Sequence, residues 1–342
     1  MRSFGSDNNS GVHPQILKAM ANANENHAIA YGNDPWTEKA VVDLRSHFGQ
    51  EADPFFVFNG TGANVIALTA CTRSFHSIFC ADTAHIAVDE CGAPVKMSGT
   101  SLQQIPTVDG KLTPESIRPY LSSLDNEHHS QPKAVYISQC TELGTVYTAE
   151  EIKSIASLIH PYGMYLHMDG ARLANAAAFL GKSLKEITVD CGVDILSFGG
   201  TKNGMMMGES VISFRPELSE NLKYIRKQSS QLFSKMRYLS VQFSSYFSGD
   251  LWLKNALHAN CKAQQLREGI DLIFPGSFTR ETQANIVLFR IPEKAVAFLL
   301  QRHFFYIWNE AEKEVRLVTS WDTTEEDIAF FLEDLQESAG LQ

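Results

Sequence analysis

The chain has 342 residues, of which 44% are hydrophobic and 20% charged, a composition typical of a globular protein with a large core. Its net charge of -10 disfavours nucleic acid as a partner, because phosphate backbones are bound by concentrated basic surfaces. The six cysteines have neither CxxC nor zinc-finger spacing, and no apolar run approaches the roughly 18 residues of a membrane-spanning helix. With a polar segment at Met1 to Gly11, these features predict reduced thiols, no metal site, no membrane segment and a cytoplasmic protein.

Short apolar runs alternate with amphipathic stretches over the first 245 residues. Buried strands are predicted at 54–58, 134–138, 165–168, 194–198 and 211–214. Helices are predicted at 63–71 and from Thr148 to about His160, where Glu151 completes a capping-box pattern. This alternation predicts an α/β fold with a mostly parallel sheet covered on both faces, and such sheets carry their sites at the carboxyl ends of strands.

The pattern changes from about residue 246. A long helix is predicted first, then a strand, a helix, a second strand and a final helix, at 250–270, 286–289, 295–302, 315–320 and from Thr324. We therefore expect a large N-terminal domain, residues 1–245, and a smaller α/β domain, residues 246–342.

The segment Asn59-Gly60-Thr61-Gly62 joins the first predicted strand to the start of a helix. Backbone N–H groups at such a turn bind anions together with the helix dipole, and Thr61 adds a hydroxyl donor. The segment lacks the third glycine of a dinucleotide fingerprint and the GK[ST] of a P-loop. Taken alone, it therefore indicates no more than a tight turn.

Two downstream segments carry groups that would complement an anion site. Asp169 follows the strand at 165–168, and Arg172 comes three residues later. Lys202 lies in the glycine-rich turn that begins at Gly199, after the next strand. A lone lysine is usually solvated, and an aspartate after a strand is commonly a helix cap. Together with the anion turn, however, they form the set that pyridoxal 5'-phosphate chemistry requires.

Several segments resemble those of the threonine aldolases, which are fold type I pyridoxal-phosphate enzymes. HMDGARLANA from His167 and SFGGTKNG from Ser197 carry most weight. The other matching segments are SDNNSG from Ser6, YGNDPWT from Tyr31, NGTGAN from Asn59, TAHIAVDECGA from Thr83 and VRLVTSWD from Val315. The resemblance covers about residues 6 to 322 and implies a pyridoxal-phosphate-dependent transferase-like fold.

The resemblance implies a set of cofactor-binding and catalytic residues. Lys202 is expected to carry the cofactor covalently, and Asp169 to pair with its pyridine nitrogen. His85 is expected to lie over the cofactor ring, near the hydroxyl of the substrate. Gly60 and Thr61 are expected to bind the phosphate.

The resemblance also implies substrate and subunit contacts. Ser6, Arg172 and Arg316 are expected to hold the substrate carboxylate, with Arg172 also bordering the cofactor. Arg237 resembles a residue that reaches the phosphate from a neighbouring subunit, and Tyr31 one that lies at the same boundary and contacts the substrate. A homodimer or homotetramer with shared active sites is therefore expected.

One position departs from the family pattern. Threonine aldolases commonly read N-T-H-N-G where this chain has Cys140-Thr141-Glu142-Leu143-Gly144, so Glu142 replaces a second active-site histidine. The base for the substrate hydroxyl is then His85, Glu142 or a water. A glutamate can act as a base where burial raises its pKa.

The implied reaction is the cleavage of L-threonine, L-allo-threonine and related β-hydroxy-α-amino acids, with phenylserine as a further candidate, to glycine and an aldehyde. One alternative is another pyridoxal-phosphate lyase of the β-eliminating type, such as tryptophanase. A second is a non-catalytic nucleotide- or phosphate-binding module built on the Gly60–Gly62 turn, which leaves Lys202 without a role.

Overall fold

The computed structural model describes residues 3–340 of the chain, which form ten strands and thirteen α-helices. The strands are β1 (Asp53–Val57), β2 (His76–Ala81), β3 (Ser101–Ile105), β4 (Gln131–Ser138), β5 (Tyr165–Gly170), β6 (Ile195–Gly199), β7 (Glu209–Ser213), β8 (Ile286–Arg290), β9 (Tyr306–Asn309) and β10 (Glu314–Val318). The helices are α1 (Pro14–Asn22), α2 (Pro35–Phe48), α3 (Gly60–Cys71), α4 (His85–Val88), α5 (Ala93–Ser98), α6 (Pro114–Ile117), α7 (Ala149–Ile159), α8 (Leu173–Leu180), α9 (Pro216–Gln228), α10 (Arg237–Phe247), α11 (Leu251–Ile273), α12 (Glu293–Leu300) and α13 (Glu325–Ala339).

Seven strands form the central sheet, in the order β1-β7-β6-β5-β4-β2-β3. Only β7 runs against its neighbours within this sheet of the described chain, so the prediction of a mostly parallel α/β sheet is confirmed. Ser138 on β4 pairs with Asp169 on β5, which in turn pairs with Ser197 on β6. The carboxyl ends of these three strands therefore lie side by side.

The central strands are apolar on both faces because each face has its own core. Ile195 and Val211 pack in one hydrophobic cluster, whereas the next residues along each strand, Leu196 and Ile212, pack in the other. Neighbouring side chains of a strand point to opposite faces of a sheet. This explains why these strands are continuous apolar runs in the sequence.

A second, antiparallel sheet has the order β8-β10-β9 and packs with α11, α12 and α13 around a separate core. This is the smaller C-terminal α/β unit that the sequence predicts. A cluster that includes Leu143, Ala176, Ile286 and Val318 joins this sheet to the large one. The predicted domain boundary at residues 245/246 falls inside α10 and stays a prediction.

Helix α7 begins where the sequence predicts it. The Thr148 hydroxyl accepts a hydrogen bond from the Glu151 N–H, and the Glu151 carboxylate accepts one from the Thr148 N–H. This reciprocal cap satisfies two N–H groups that have no hydrogen-bond partner within the helix.

Strands β2, β3 and β9 were not predicted. Strand β3 (SLQQI) is an edge strand whose side chains are mostly polar, so it lacks the apolar run that marks the central strands.

Membrane-spanning helices and metal-binding groups of side chains are absent from the part of the chain that the structure describes. Within residues 3–340, no helix combines the length and the apolar character needed to cross a bilayer. Over the same residues, histidine, cysteine and acidic side chains form no group of three or more that could hold a metal ion.

Candidate active site

A cleft lies at the carboxyl ends of β4, β5 and β6, beside the start of α3. Its lining residues are Gly60, Asn64, His85, Glu90, Ser138, Cys140, Glu142, Asp169, Ala171, Arg172 and Lys202. Six of the residues predicted to form the site therefore come together here, although they lie far apart in the sequence.

A tight turn after β6 holds Lys202 in the cleft. Thr201–Asn203 forms a single turn of 3-10 helix between Gly200 and Gly204. Gly204 has a φ of 104°, a conformation that side-chain-bearing residues rarely adopt. A Cβ atom added at Gly200 would lie 2.0 Å from the sulfur of Met205. Gly204 is therefore required by this turn, and a side chain at Gly200 would displace Met205.

The environment of Lys202 makes its amine easier to deprotonate. Burial, and next the charge of Arg172, lower the pKa of the Lys202 amine below its usual 10.5. The carboxylates of Asp7 and Asp169 act in the opposite direction without outweighing them. A lysine amine is a nucleophile only when unprotonated, so these surroundings prepare Lys202 for attachment to a carbonyl compound.

Asp169 is held as a carboxylate at the floor of the cleft. Its Oδ2 accepts hydrogen bonds from Asn64 Nδ2 and from the hydroxyl of Tyr136, both at 2.8 Å, and its Oδ1 accepts one from the Ala171 N–H at 2.9 Å. Burial raises the pKa of this carboxyl, but the hydrogen bond from Asn64, the charge of Lys202 and the other donors together lower it below its usual value. A second lone pair of Oδ1 is left for a ligand.

His85 and Glu142 line the wall of the cleft. The His85 ring contacts the buried Glu90 carboxylate, with Nδ1 2.8 Å from Oε1. Glu142 Oε1 accepts hydrogen bonds from the Ser138 hydroxyl at 2.7 Å and from the His85 backbone N–H at 2.9 Å. The hydrogen bond to Glu90 raises the pKa of His85, and burial raises the pKa of Glu142. Both side chains line the cleft and are of the types that transfer protons in enzymes.

Arg172 is held by an acid that the sequence analysis did not single out. Its Nε and Nη2 donate to the two oxygens of Asp7 at 2.7 and 2.8 Å, and Asn285 Nδ2 donates to Asp7 at 3.0 Å. Ser6, predicted to bind the substrate, is the N-cap of the short 3-10 helix Asp7–Asn9. The bidentate pair fixes the guanidinium plane and leaves its remaining N–H groups for a ligand.

Arg316 lies near this pair, on β10, with its guanidinium 4.8 Å from the Trp308 ring centroid. Its Nε is buried and has no hydrogen-bond partner among the described residues. Burial, and next the charge of Arg172, lower the pKa of Arg316 to about 10. A buried guanidinium nitrogen without a partner is costly, which indicates that an anion completes this site.

Gly60 and Thr61 begin helix α3. The Asn59 side chain caps this helix by accepting a hydrogen bond from the Gly62 N–H at 2.8 Å, so the first two N–H groups have no partner within the helix. A Cβ atom at Gly60 would meet nothing within 4 Å. Gly60 borders the cleft, so the start of this helix faces it.

Tyr31 and Arg237 lie away from the cleft. Tyr31 is half exposed, and its N–H donates to the carbonyl of Ser234 at 2.9 Å. Arg237 donates to the carbonyl of Asn26 at 2.9 Å and borders a second groove formed by residues 27–30, Asp34 and residues 234–237. Within one chain, the structure does not bring these two residues to the site.

Four buried residues that hold the site were assigned no role from the sequence: Asp7, Asn64, Glu90 and Tyr136. The first three lie inside segments that resemble the threonine aldolases, next to residues that were singled out. Their position in those segments was the only available signal, because each acts through contacts with distant parts of the chain.

The fold and the site define a class of proteins. Thermus thermophilus aspartate aminotransferase shares this fold, with a TM-score of 0.71 over 98% of this chain and 90% of its own, at 16% identity. The chain has the architecture of the fold type I pyridoxal-phosphate enzymes, with a lysine, an aspartate and a helix start in one cleft.

Closer similarities narrow this class to a family. The model of the family described as beta-eliminating lyase matches residues 3–292. The low specificity L-threonine aldolase of Pseudomonas aeruginosa is 42% identical over 98% of this chain and 97% of its own. A solved structure of Leishmania major threonine aldolase superposes with a TM-score of 0.93, at 30% identity over 99% of this chain and 100% of its own. The chain belongs to the beta-eliminating lyase family, in its threonine aldolase branch, which confirms the resemblance seen in the sequence.

Proposed function

We propose that the protein is a pyridoxal-phosphate-dependent L-threonine aldolase that cleaves β-hydroxy-α-amino acids to glycine and an aldehyde. The observation that carries this proposal is the cleft in which Lys202, with its lowered pKa, shares the space with the carboxylate of Asp169. The similarity to relatives named for this activity supports it.

The residues of the cleft fit the cofactor. Asp169 Oδ1 has a lone pair available for a pyridinium N–H, and the open start of α3 at Gly60 offers donors for a phosphate. Lys202 supplies the amine for covalent attachment. The bound cofactor would supply a π system that accepts the electron pair released at the substrate Cα.

The two arginines orient the substrate. The buried Nε of Arg316 and the N–H groups of Arg172 that Asp7 does not use are donors for an α-carboxylate. Because Asp7 and Asn285 fix Arg172, the carboxylate meets donors that are already in place. Fixing the carboxylate fixes which bond at Cα can be broken.

We assign the removal of the substrate's hydroxyl proton to the wall formed by His85 and Glu142, which both line the cleft. One of these groups takes that proton, the hydroxyl oxygen forms the aldehyde carbonyl, and the Cα–Cβ electron pair stays on Cα. Addition of a proton at Cα then gives glycine. The hydroxyl oxygen loses one proton and Cα gains one, so the reaction is balanced without an oxidant or a further reactant.

Product analysis tests this function. The purified protein, saturated with pyridoxal phosphate, should release equal amounts of glycine and acetaldehyde from L-threonine and L-allo-threonine, and glycine and benzaldehyde from phenylserine. Serine should react more slowly, because its aldehyde product is the less stable formaldehyde. Pyruvate and ammonia as the main products would instead identify a β-eliminating lyase, and no product from the whole panel would refute both.

We also propose that the active site is completed by a second copy of the chain. Arg237 borders a groove outside the cleft, and Tyr31 contacts Ser234 of the same groove, so their predicted roles require a neighbouring subunit. Light scattering should give two or four times the chain mass of 38.0 kDa. Coexpression of Lys202→Ala chains with Arg237→Ala chains should restore activity, since about half of the sites in a mixed dimer keep both residues. A mass of one chain, or no restoration, would contradict shared sites.

A further inference from the structure

A buried carboxylate links His85 to Asp169 across the floor of the cleft. Glu90 follows helix α4 and its side chain is fully buried, whereas that of His85 is 36% exposed. Glu90 Oε1 lies 2.8 Å from His85 Nδ1 and accepts a hydrogen bond from Asn64 Nδ2, also at 2.8 Å. The same Asn64 nitrogen donates to Asp169 at 2.8 Å.

These contacts determine where the amide hydrogens of Asn64 point and which ring nitrogen of His85 carries the proton. The amide nitrogen of Asn64 has two hydrogens, and it faces one carboxylate oxygen of Glu90 and one of Asp169. In the opposite orientation the amide oxygen would face two carboxylate oxygens and be repelled by both. Asn64 Nδ2 is therefore the donor to Glu90 and to Asp169. Glu90 Oε1 is therefore an acceptor, and a lone pair on His85 Nδ1 would be repelled by it. The proton of the neutral ring must then be on Nδ1.

We propose that Glu90 is a positioning residue, which holds the His85 proton on Nδ1 and so presents Nε2 to the cleft as the acceptor for the substrate's hydroxyl proton. The expected effect of Glu90 on turnover rests on the proposed function, whereas its effect on the His85 tautomer does not. In the step concerned, the O–H bond breaks and an N–H bond forms at Nε2, while the Cα–Cβ bond breaks as the carbonyl forms. Without Glu90 the ring could turn or exchange tautomers, and Nε2–H could not accept a proton.

Four charged groups surround the His85 ring. Glu90 lies after α4, Asp169 at the end of β5, and Lys202 after β6. Glu142, after β4, contacts the His85 backbone. The hydrogen bond that His85 donates to Glu90 raises the pKa of His85 most strongly; burial lowers it, the charge of Asp169 raises it and that of Lys202 lowers it.

Nuclear magnetic resonance of the cofactor-free protein tests the structural part. In protein labelled with ¹⁵N-histidine, the two tautomers give distinct long-range ¹H–¹⁵N patterns, and the His85 signals are those lost in His85→Gln. We expect the Nδ1–H tautomer above the pKa of His85. An Nε2–H tautomer in the unsubstituted protein would overturn the proposal, even if no Glu90 variant folded.

Two variants extend this test. Glu90→Gln keeps an acceptor oxygen but removes the charge, so the pKa of His85 should fall by about one unit. Glu90→Ala removes the acceptor and should shift the ring towards Nε2–H. Glu127→Gln removes an exposed acid of a surface loop and should change neither property. The His303 signals, whose ring bonds to Asp334, should stay unchanged throughout and report an intact fold. A His85 pKa that is the same in Glu90→Gln and the unsubstituted protein would overturn the proposal.

Kinetics of the cofactor-loaded protein test the consequence. Glu90→Gln should lower kcat for L-threonine about tenfold or more with little change in KM, since no substrate contact is removed. The acidic limb of the pH–rate profile should move to lower pH with the His85 pKa, because the base works unprotonated. A limb that stays in place while that pKa falls would assign the proton to another acceptor, such as Glu142, and overturn the kinetic part. Absence of glycine from the unsubstituted protein would refute the proposed function instead, and the tautomer result would still decide the role of Glu90.

Discussion

Replacing Lys202 with alanine should lower the rate of glycine release from L-threonine by about 10³-fold or more. The amine of Lys202 is the nucleophile of the cleft, and its lowered pKa shows that its surroundings make it easier to deprotonate. No other lysine lines the cleft among the described residues, so none can replace it. The variant should also lose the visible absorption band that an attached cofactor produces, measured after saturation with pyridoxal phosphate.

Two further variants separate attachment from charge. Lys202→Arg keeps a positive charge beside Asp169 but cannot form the covalent link, so it should be as inactive as the alanine variant. Lys18→Ala removes an exposed lysine of α1 and should behave as the unsubstituted protein. An intact visible band in Lys202→Ala would show that another residue carries the cofactor.

Replacing Asp169 with asparagine should lower turnover by about 10²- to 10³-fold, because a neutral amide cannot stabilise a protonated pyridine nitrogen. The three donors around Asp169 would face an amide with only one acceptor oxygen, so the free energy of unfolding should also fall by about 1–2 kcal/mol. Steady-state kinetics and denaturant unfolding measure the two effects separately.

A surface acid provides the control for this substitution. Asp43 forms an i,i+4 pair with the exposed Lys39 on helix α2, and Asp43→Asn should change turnover and stability little. Unchanged turnover in Asp169→Asn would mean that this carboxylate does not act on the cofactor ring. A large loss of stability with normal turnover would make its role purely structural.

The central strands could be predicted from the sequence because both of their faces are buried. Strands β4 to β7 contain apolar runs for that reason, and each ends at glycine or serine. Strand β2 is equally buried but was not predicted. Edge strand β3 was missed because its side chains are mostly polar and form no apolar run. Helix α7 was predicted within a residue because its capping box is local.

The chemistry of the site was visible in the sequence to the extent that it depends on local segments. Gly204 is required by the turn that holds Lys202, and Asp169 follows its own strand. Lys202 and Asp169 can therefore be recognised from the residues next to them in the sequence. The departure at Glu142 was visible for the same reason, although the sequence did not show that burial raises its pKa.

The sequence alone determined the residue types at the strand ends, the fold class and the family. This is because backbone turns and buried strands constrain residues that lie close together in the chain. Only the tertiary structure decided how those residues are held. Asp7 meets Arg172 across 165 positions, and Asn64 joins Glu90 to Asp169 across 26 and 105 positions. These contacts join helices and loops to the edge where the parallel strands end, and no spacing rule of a single sequence encodes them.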